Sequence, residues 1–147
     1  MNIIFLDFDG VLIPFDSNDG QDYFGLKFNQ SCVNCLSEII STTKSKIVIT
    51  SSWANHFSIL LLKIMWKYRN MPGSVIGKIR NNSYDRSQKI DTWLKKHTVT
   101  NYIIIDDMAT SQFEEHHQKH LIHTNTRIGL TKNEVELAIK LLLPIAQ

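Results

Sequence analysis

The sequence predicts an α/β domain of the doubly wound, Rossmann-like kind, with a mainly parallel sheet of about five strands and helices on both faces. Three observations carry this expectation. Short apolar runs alternate with amphipathic segments along the chain, the pattern of successive β–α units. The runs are rich in Ile and Val and have no polar break, as strands buried on both faces require. Three of them end in polar residues: Asp7 and Asp9, Thr50 and Ser51, Asp106 and Asp107. Open parallel sheets bind ligands beyond the carboxyl ends of their strands, at the switch in strand order. Three polar endings on one rim describe a site.

The elements follow in order. Asn2 to Leu12 opens the chain, with Ile3 to Leu6 as a buried strand that stops at Asp7. Gly10 allows a sharp turn after the Asp7 and Asp9 pair. Residues 13–28, with Pro14, Gly20 and Gly25, form a loop or loose hairpin that overhangs the strand end. Residues 30–43 are a helix with Asn29 or Ser31 available as its cap. Lys46 to Thr50 is a second strand, and residues 55–70 a long helix carrying Phe57, Leu60, Leu61, Ile64, Met65 and Tyr68. Pro72 and Gly73 break it before a third strand at Ser74 to Ile79. After a polar turn at Asn81 to Ser83, residues 86–97 form a helix with Ile90, Trp93 and Leu94 inward. Asn101 to Asp107 is a strand ending in carboxylates, followed by a short helix near 110–118 and a small strand at 120–123. Thr131 caps a last helix with Val135, Ala138, Ile139 and Leu142 on one face, and Pro144 ends it.

Composition bounds the rest. A chain of 147 residues, 43% hydrophobic and 20% charged, fits one ordinary globular domain over residues 1–147 with a substantial core. A net charge of +2 and a pI near 8.5 are too mild to argue for nucleic acid by themselves. Cys32 and Cys35 lie on a helix with no second cysteine pair, so they read as semi-buried thiols of a reducing compartment. The chain enters a strand directly, without a basic leader, and the longest apolar run of its first 70 residues, Ile59 to Leu62, cannot span a bilayer. A cytoplasmic protein without a membrane partner is the expectation.

Two carboxylates at the mouth of a buried strand are costly unless a cation sits between them, and a hard ion such as Mg2+ suits oxygen ligands. Carboxylates, hydroxyls and a cation together suit phosphoryl transfer. Asp7 is placed to attack phosphorus, forming an aspartyl-phosphate. Mg2+ held by Asp7, Asp107 and a backbone carbonyl, with Asp9 and Asp106 at hand, offsets carboxylate–phosphate repulsion. Asp9 is placed for general acid and base work, and Thr50, helped by Ser51, for a hydrogen bond to a phosphoryl oxygen. Arg86 and Lys89, one turn apart, compete as the phosphate-holding cation.

Those residues resemble the four motifs of the haloacid dehalogenase (HAD) superfamily of aspartate-nucleophile phosphohydrolases. The first is matched by Asp7-Phe-Asp9-Gly-Val11, the second by Ile47-Val-Ile-Thr50, the third by Arg86 at a helix start, and the fourth by Ile103-Ile-Ile-Asp106-Asp107. Thr50-Ser-Ser-Trp53, Trp93-Leu94 and Gly129-Leu130-Thr131 further resemble small HAD modules of multidomain RNA-repair proteins. Ala54 stands where that group leads one to expect Arg, and Lys89 where it leads one to expect an acidic residue. The resemblance implies a Mg2+-dependent phosphatase. The gaps between motifs hold no cap domain, so an open site is expected, with a protein phosphoester, an RNA end or a nucleotide as substrate. Transfer to an acceptor other than water shares every residue named, and a non-catalytic binding module would keep the fold and the ion.

Weaker signals remain. Glu114 to His120, with His123, has the composition of a zinc tract, but a solvated polar helix face is the expectation. Of Trp53, Trp66, Phe15 and Tyr23, Trp66 is expected in the core, and only Phe15 and Tyr23, on the overhanging loop, are kept as substrate contacts. Lys63, Lys67, Arg69, Lys78 and Arg80 read as solvated surface.

Overall fold

A computed structural model describes residues 1–145. Its centre is β1, Asn2–Leu6. Successive strand side chains point to opposite faces, so Ile4 and Leu6 enter one apolar layer and Ile3 and Phe5 the other. A strand with no polar side to present must sit in the middle of the sheet. It does, paired in parallel with β4, Lys46–Ile49, on one side and β6, Asn101–Asp106, on the other.

The two-residue strands β2, Gln21–Asp22, and β3, Gly25–Leu26, form a separate antiparallel hairpin within the overhanging loop. With β5, Val75–Lys78, and β7, Leu121–His123, the main sheet is five-stranded in the order β5-β4-β1-β6-β7. All four of its pairings are parallel. The order reverses at β1, which places the carboxyl ends of β4, β1 and β6 side by side.

Helices cover both faces. Helix α1, Gln30–Thr43, starts at Asn29, whose side chain accepts from the Cys32 backbone N–H at 3.2 Å, and thereby resolves the choice of cap. Cys32 and Cys35 on α1 are both buried and free, and burial raises the Cys32 thiol to about 11. Helix α2, Ile59–Tyr68, is shorter than the 55–70 expected, because residues Ser52–Asn55 form a separate 3-10 turn and Ser58 caps α2 through Leu61 N. Its inward face is also different: Leu62, Met65 and Trp66 are buried, while Leu60, Ile64 and Tyr68 face outward.

Helix α3, Arg86–Lys95, lies on the opposite face of the sheet, with Ile90 buried and Trp93 and Leu94 packed beside it on Phe5 and Val48. After a 3-10 turn at Thr110–Gln112, α4, Glu115–Gln118, is one turn long. It contradicts the solvated reading of the histidine tract, because His117 is completely buried. Helix α5, Lys132–Leu142, returns to the first face with Val135, Ala138 and Leu142 inward. Thr131 precedes it, but its hydroxyl donates to the Glu134 carboxylate at 2.6 Å instead of accepting from the backbone. Among the described residues no helix is long and apolar enough to cross a membrane.

Candidate active site

Backbone pairing carries the three polar strand ends to one rim. Asp7 N donates to Ile105 O at 3.1 Å, and Thr50 N donates to Leu6 O at 2.9 Å, so the first residues beyond β1 and β4 are held in register. Asp7, Asp106 and Asp107 there each offer a carboxylate oxygen within 4.8 Å of the others. Gly10 turns the chain with φ of 77°, and a Cβ at that position would stand 2.0 Å from Asp107 Oδ2. Only glycine lets the Asp107 carboxylate lie against the turn.

Arg86 is the cation at this rim. Buried at the start of α3, it donates from Nη1 to Asp106 Oδ2 at 2.6 Å, lies 3.6 Å from Asp7 Oδ2, and donates from Nε to Asn81 Oδ1 at 2.8 Å. Asp106, wholly buried, spends its other oxygen on the Met108 N–H at 2.9 Å. Lys89 is exposed one turn further on, and its side chain has no hydrogen bond or ion pair among the described residues. Asp9, expected among the metal ligands with the other three, has its side chain exposed at the mouth, outside the three-carboxylate group.

The charges do not balance. Three clustered carboxylates, with Asp9 beyond them at the mouth, are set against one guanidinium. Burial, reinforced by the Asp106 and Asp107 charges and opposed by Arg86, raises the Asp7 pKa well above the ordinary carboxylate range. Asp106 is raised for the same first reason, with Arg86 pulling it back. At Asp9 the surrounding protein and the Asp107 charge raise the pKa, against a hydrogen bond from Trp53. A divalent cation with oxygen ligands fits this excess of negative charge. Thr50 Oγ1 is buried at the same rim with no hydrogen-bond partner, an acceptor-and-donor group free for a ligand. Ser51 Oγ instead accepts from Trp53 N at 3.3 Å.

Two positioning residues carry no signal of their own in the sequence. Asn81 donates from Nδ2 to Thr50 O and to Ile79 O, both at 2.9 Å, while its Oδ1 receives Arg86. It thus ties the ends of β4 and β5 to the cation; only its place in a polar turn pointed to it. Thr126 donates to Asp107 Oδ2 at 2.9 Å from the loop before α5. That loop is fastened to the β1 turn by Thr124 Oγ1, which donates to Gly10 O at 2.8 Å, and by Leu130 N, which donates to Val11 O at 2.9 Å. Gly129, at φ of 70°, makes the approach possible, since a Cβ would meet Val11 O at 2.6 Å.

The overhanging loop forms a mouth of about 280 Å³ lined by Asp9, Gly10, Phe15, Asp19, Lys27 and Asp107, among others. Phe15 lines this mouth with the Arg127 guanidinium 5.4 Å from its ring, whereas Tyr23 points into solvent. Trp53 packs edge-on against Phe8 and Trp66 lies in the core. Two of the basic residues expected to be solvated are not. Arg69 makes a bidentate pair with Asp22 at 2.7 and 2.9 Å and anchors the hairpin, and Lys78 donates to the carbonyls of Ala54 and Phe57. Ala54 is fully buried and offers the site no charge.

A family model described as the HAD domain in Swiss Army Knife RNA repair proteins matches residues 3–135. The chain belongs to this family. Membership accounts for the small five-stranded HAD fold without a cap domain and implies an enzyme of the phosphohydrolase type. No curated protein and no solved structure matches the chain.

Proposed function

We propose that this HAD domain is a Mg2+-dependent phosphatase that hydrolyses a phosphate monoester through an aspartyl-phosphate on Asp7. The observation that carries the reading is the convergence of Asp7, Asp106 and Asp107 beside Arg86 and the unpartnered Thr50 hydroxyl. Asp7, Asp107 and a backbone carbonyl would hold the ion, which when bound supplies positive charge between the carboxylates and an approaching phosphate. Asp106 is the lesser candidate, since both of its oxygens are already engaged.

Asp7 attacks phosphorus, forming the carboxylate–phosphorus bond as the bond to the leaving oxygen breaks. Asp9 gives that oxygen a proton, then takes one from the water that attacks the phosphoryl group and frees Asp7. Its raised pKa and its open position at the mouth suit both steps. Thr50 donates its hydroxyl to a phosphoryl oxygen, and Arg86, fixed by Asn81 and Asp106, supplies the charge that faces it.

The cover over the site is a loop with one small hairpin, which favours a phosphate carried on a larger molecule. Among a protein phosphoester, a nucleotide and an RNA end, the family's association with RNA repair favours the RNA end. Hydrolysis of a generic aryl phosphate tests the enzyme class. Turnover is expected to require Mg2+ and to fall by about a thousandfold or more in Asp7→Asn. Turnover that survives this substitution contradicts the mechanism.

A further inference from the structure

A second group of ligating side chains lies away from the acidic rim. Asp91, on α3, places Oδ1 2.8 Å from His116 Nε2 and 2.9 Å from His117 Nε2. Three lone-pair atoms of mixed N and O character therefore share one small volume, all within 4.8 Å of one another. We propose that Asp91, His116 and His117 form a structural site for a borderline divalent transition-metal ion of the Zn2+ class, independent of the phosphatase reading.

The surroundings suit such an ion. His117 is completely buried, and its remaining ring nitrogen, Nδ1, lies 2.8 Å from Tyr102 Oη. In the metal-free protein Nε2 faces two acceptors, Asp91 Oδ1 and Ser87 O, and carries the ring proton. An ion would displace that proton to Nδ1, which would then donate to the Tyr102 hydroxyl, the outer-shell arrangement that histidine ligands commonly use. Tyr102 is itself held, packed edge-on to Phe5 and stacked on His120 at 3.9 Å. Asp91 and His116 are partly exposed, which leaves an entry path and room for water to complete the coordination. Zn2+ bonds of roughly 2.0–2.1 Å in a tetrahedron put ligand atoms about 3.3 Å apart, so the two spacings from Asp91 Oδ1 need open by only about half an ångström.

The site joins α4 to α3. His117 Nε2 also lies 3.2 Å from Ser87 O, and Ser87 Oγ accepts from Glu114 N at 3.0 Å. An ion there would staple the segment around α4 to the helix that presents Arg86. The histidine tract supplies two of the ligands; the third comes from Asp91, 25 residues from His116 along the chain.

Chelator-stripped protein is titrated with ZnCl2 in excess Mg2+, which occupies oxygen-only sites, with thermal melting in parallel and Co2+ as a spectroscopic probe. The proposal requires one equivalent of tightly bound Zn2+, a higher Tm, and the intense visible bands of four-coordinate Co2+ bound by nitrogen. Affinity should fall by more than about tenfold in His116→Ala and in Asp91→Asn, and by about tenfold in Tyr102→Phe, an outer-shell change. The partly exposed His116 and Asp91 are changed in place of the buried His117, and the metal-free melts of the variants check their folds. Absence of Zn2+ binding by the wild type, or unchanged affinity in both ligand variants, would leave a hydrogen-bonded polar cluster and overturn the proposal.

Discussion

Asp7 concentrates the cost of the site in one side chain. Its burial, beside Asp106 and Asp107, favours the protonated form in the folded protein. A carboxylate whose folded pKa is raised destabilises the fold as pH rises from the unfolded value, near 3.8, through the folded one. Above both values the penalty is fully present; below both it vanishes. Asp7→Asn removes the charge while keeping the shape, so metal-free Asp7→Asn should be more stable than wild type at neutral pH. Gains of this kind are commonly about 0.5–2 kcal/mol. Melting across a pH series should show the advantage narrowing as pH falls through the raised pKa of Asp7. A variant less stable than wild type at neutral pH would mean that the pairing with Arg86 outweighs the burial.

The elements differ in how plainly the sequence announces them. Strands β1, β4 and β6 are legible because burial on both faces permits no polar residue until the strand ends, and the same break marks Asp7, Thr50 and Asp106. Helix α2 is not legible in register. Leu60, Leu61 and Leu62, then Ile64, Met65 and Trp66, make it apolar on every side, so periodicity cannot say which face turns inward. Asn81 and Thr126 are silent for another reason: a polar residue in a turn looks alike whether it faces water or holds an arginine. Helix α3 offers two cations one turn apart, and geometry separates them. Arg86→Met strands the buried Asp106 charge and should cost about 3–5 kcal/mol in urea denaturation. Lys89→Met, at an exposed position, should stay within about 0.5 kcal/mol of wild type. Equal losses from the two substitutions would refute this account of α3.

At the scale of the molecule, the site exists because the strand order reverses at β1 and gathers three strand ends. Each strand end is readable alone, but their meeting depends on the order β5-β4-β1-β6-β7, which the parallel β–α alternation makes expected without dictating. The cover is equally a property of the whole. The hairpin is fastened by Arg69 to Asp22, over Phe28, and the loop before α5 closes the other side through Thr124 and Thr126. Such a frame leaves the acidic rim open at the mouth while the loops on either side of it are held in place.

The central claim is that Asp7 itself takes the phosphoryl group. It is tested most directly in Asp9→Asn, which lacks the base for the attacking water but keeps the nucleophile. Nitrophenolate leaves without needing a proton, so the first step should proceed with nitrophenyl phosphate and Mg2+, and the second should stall. Acid quench, borohydride reduction and peptide mass spectrometry then read the modified carboxylate. The account predicts Asp7 reduced to homoserine in step with one equivalent of nitrophenolate released. Release of that equivalent with Asp7 unmodified, or with another carboxylate carrying the phosphate, would contradict it.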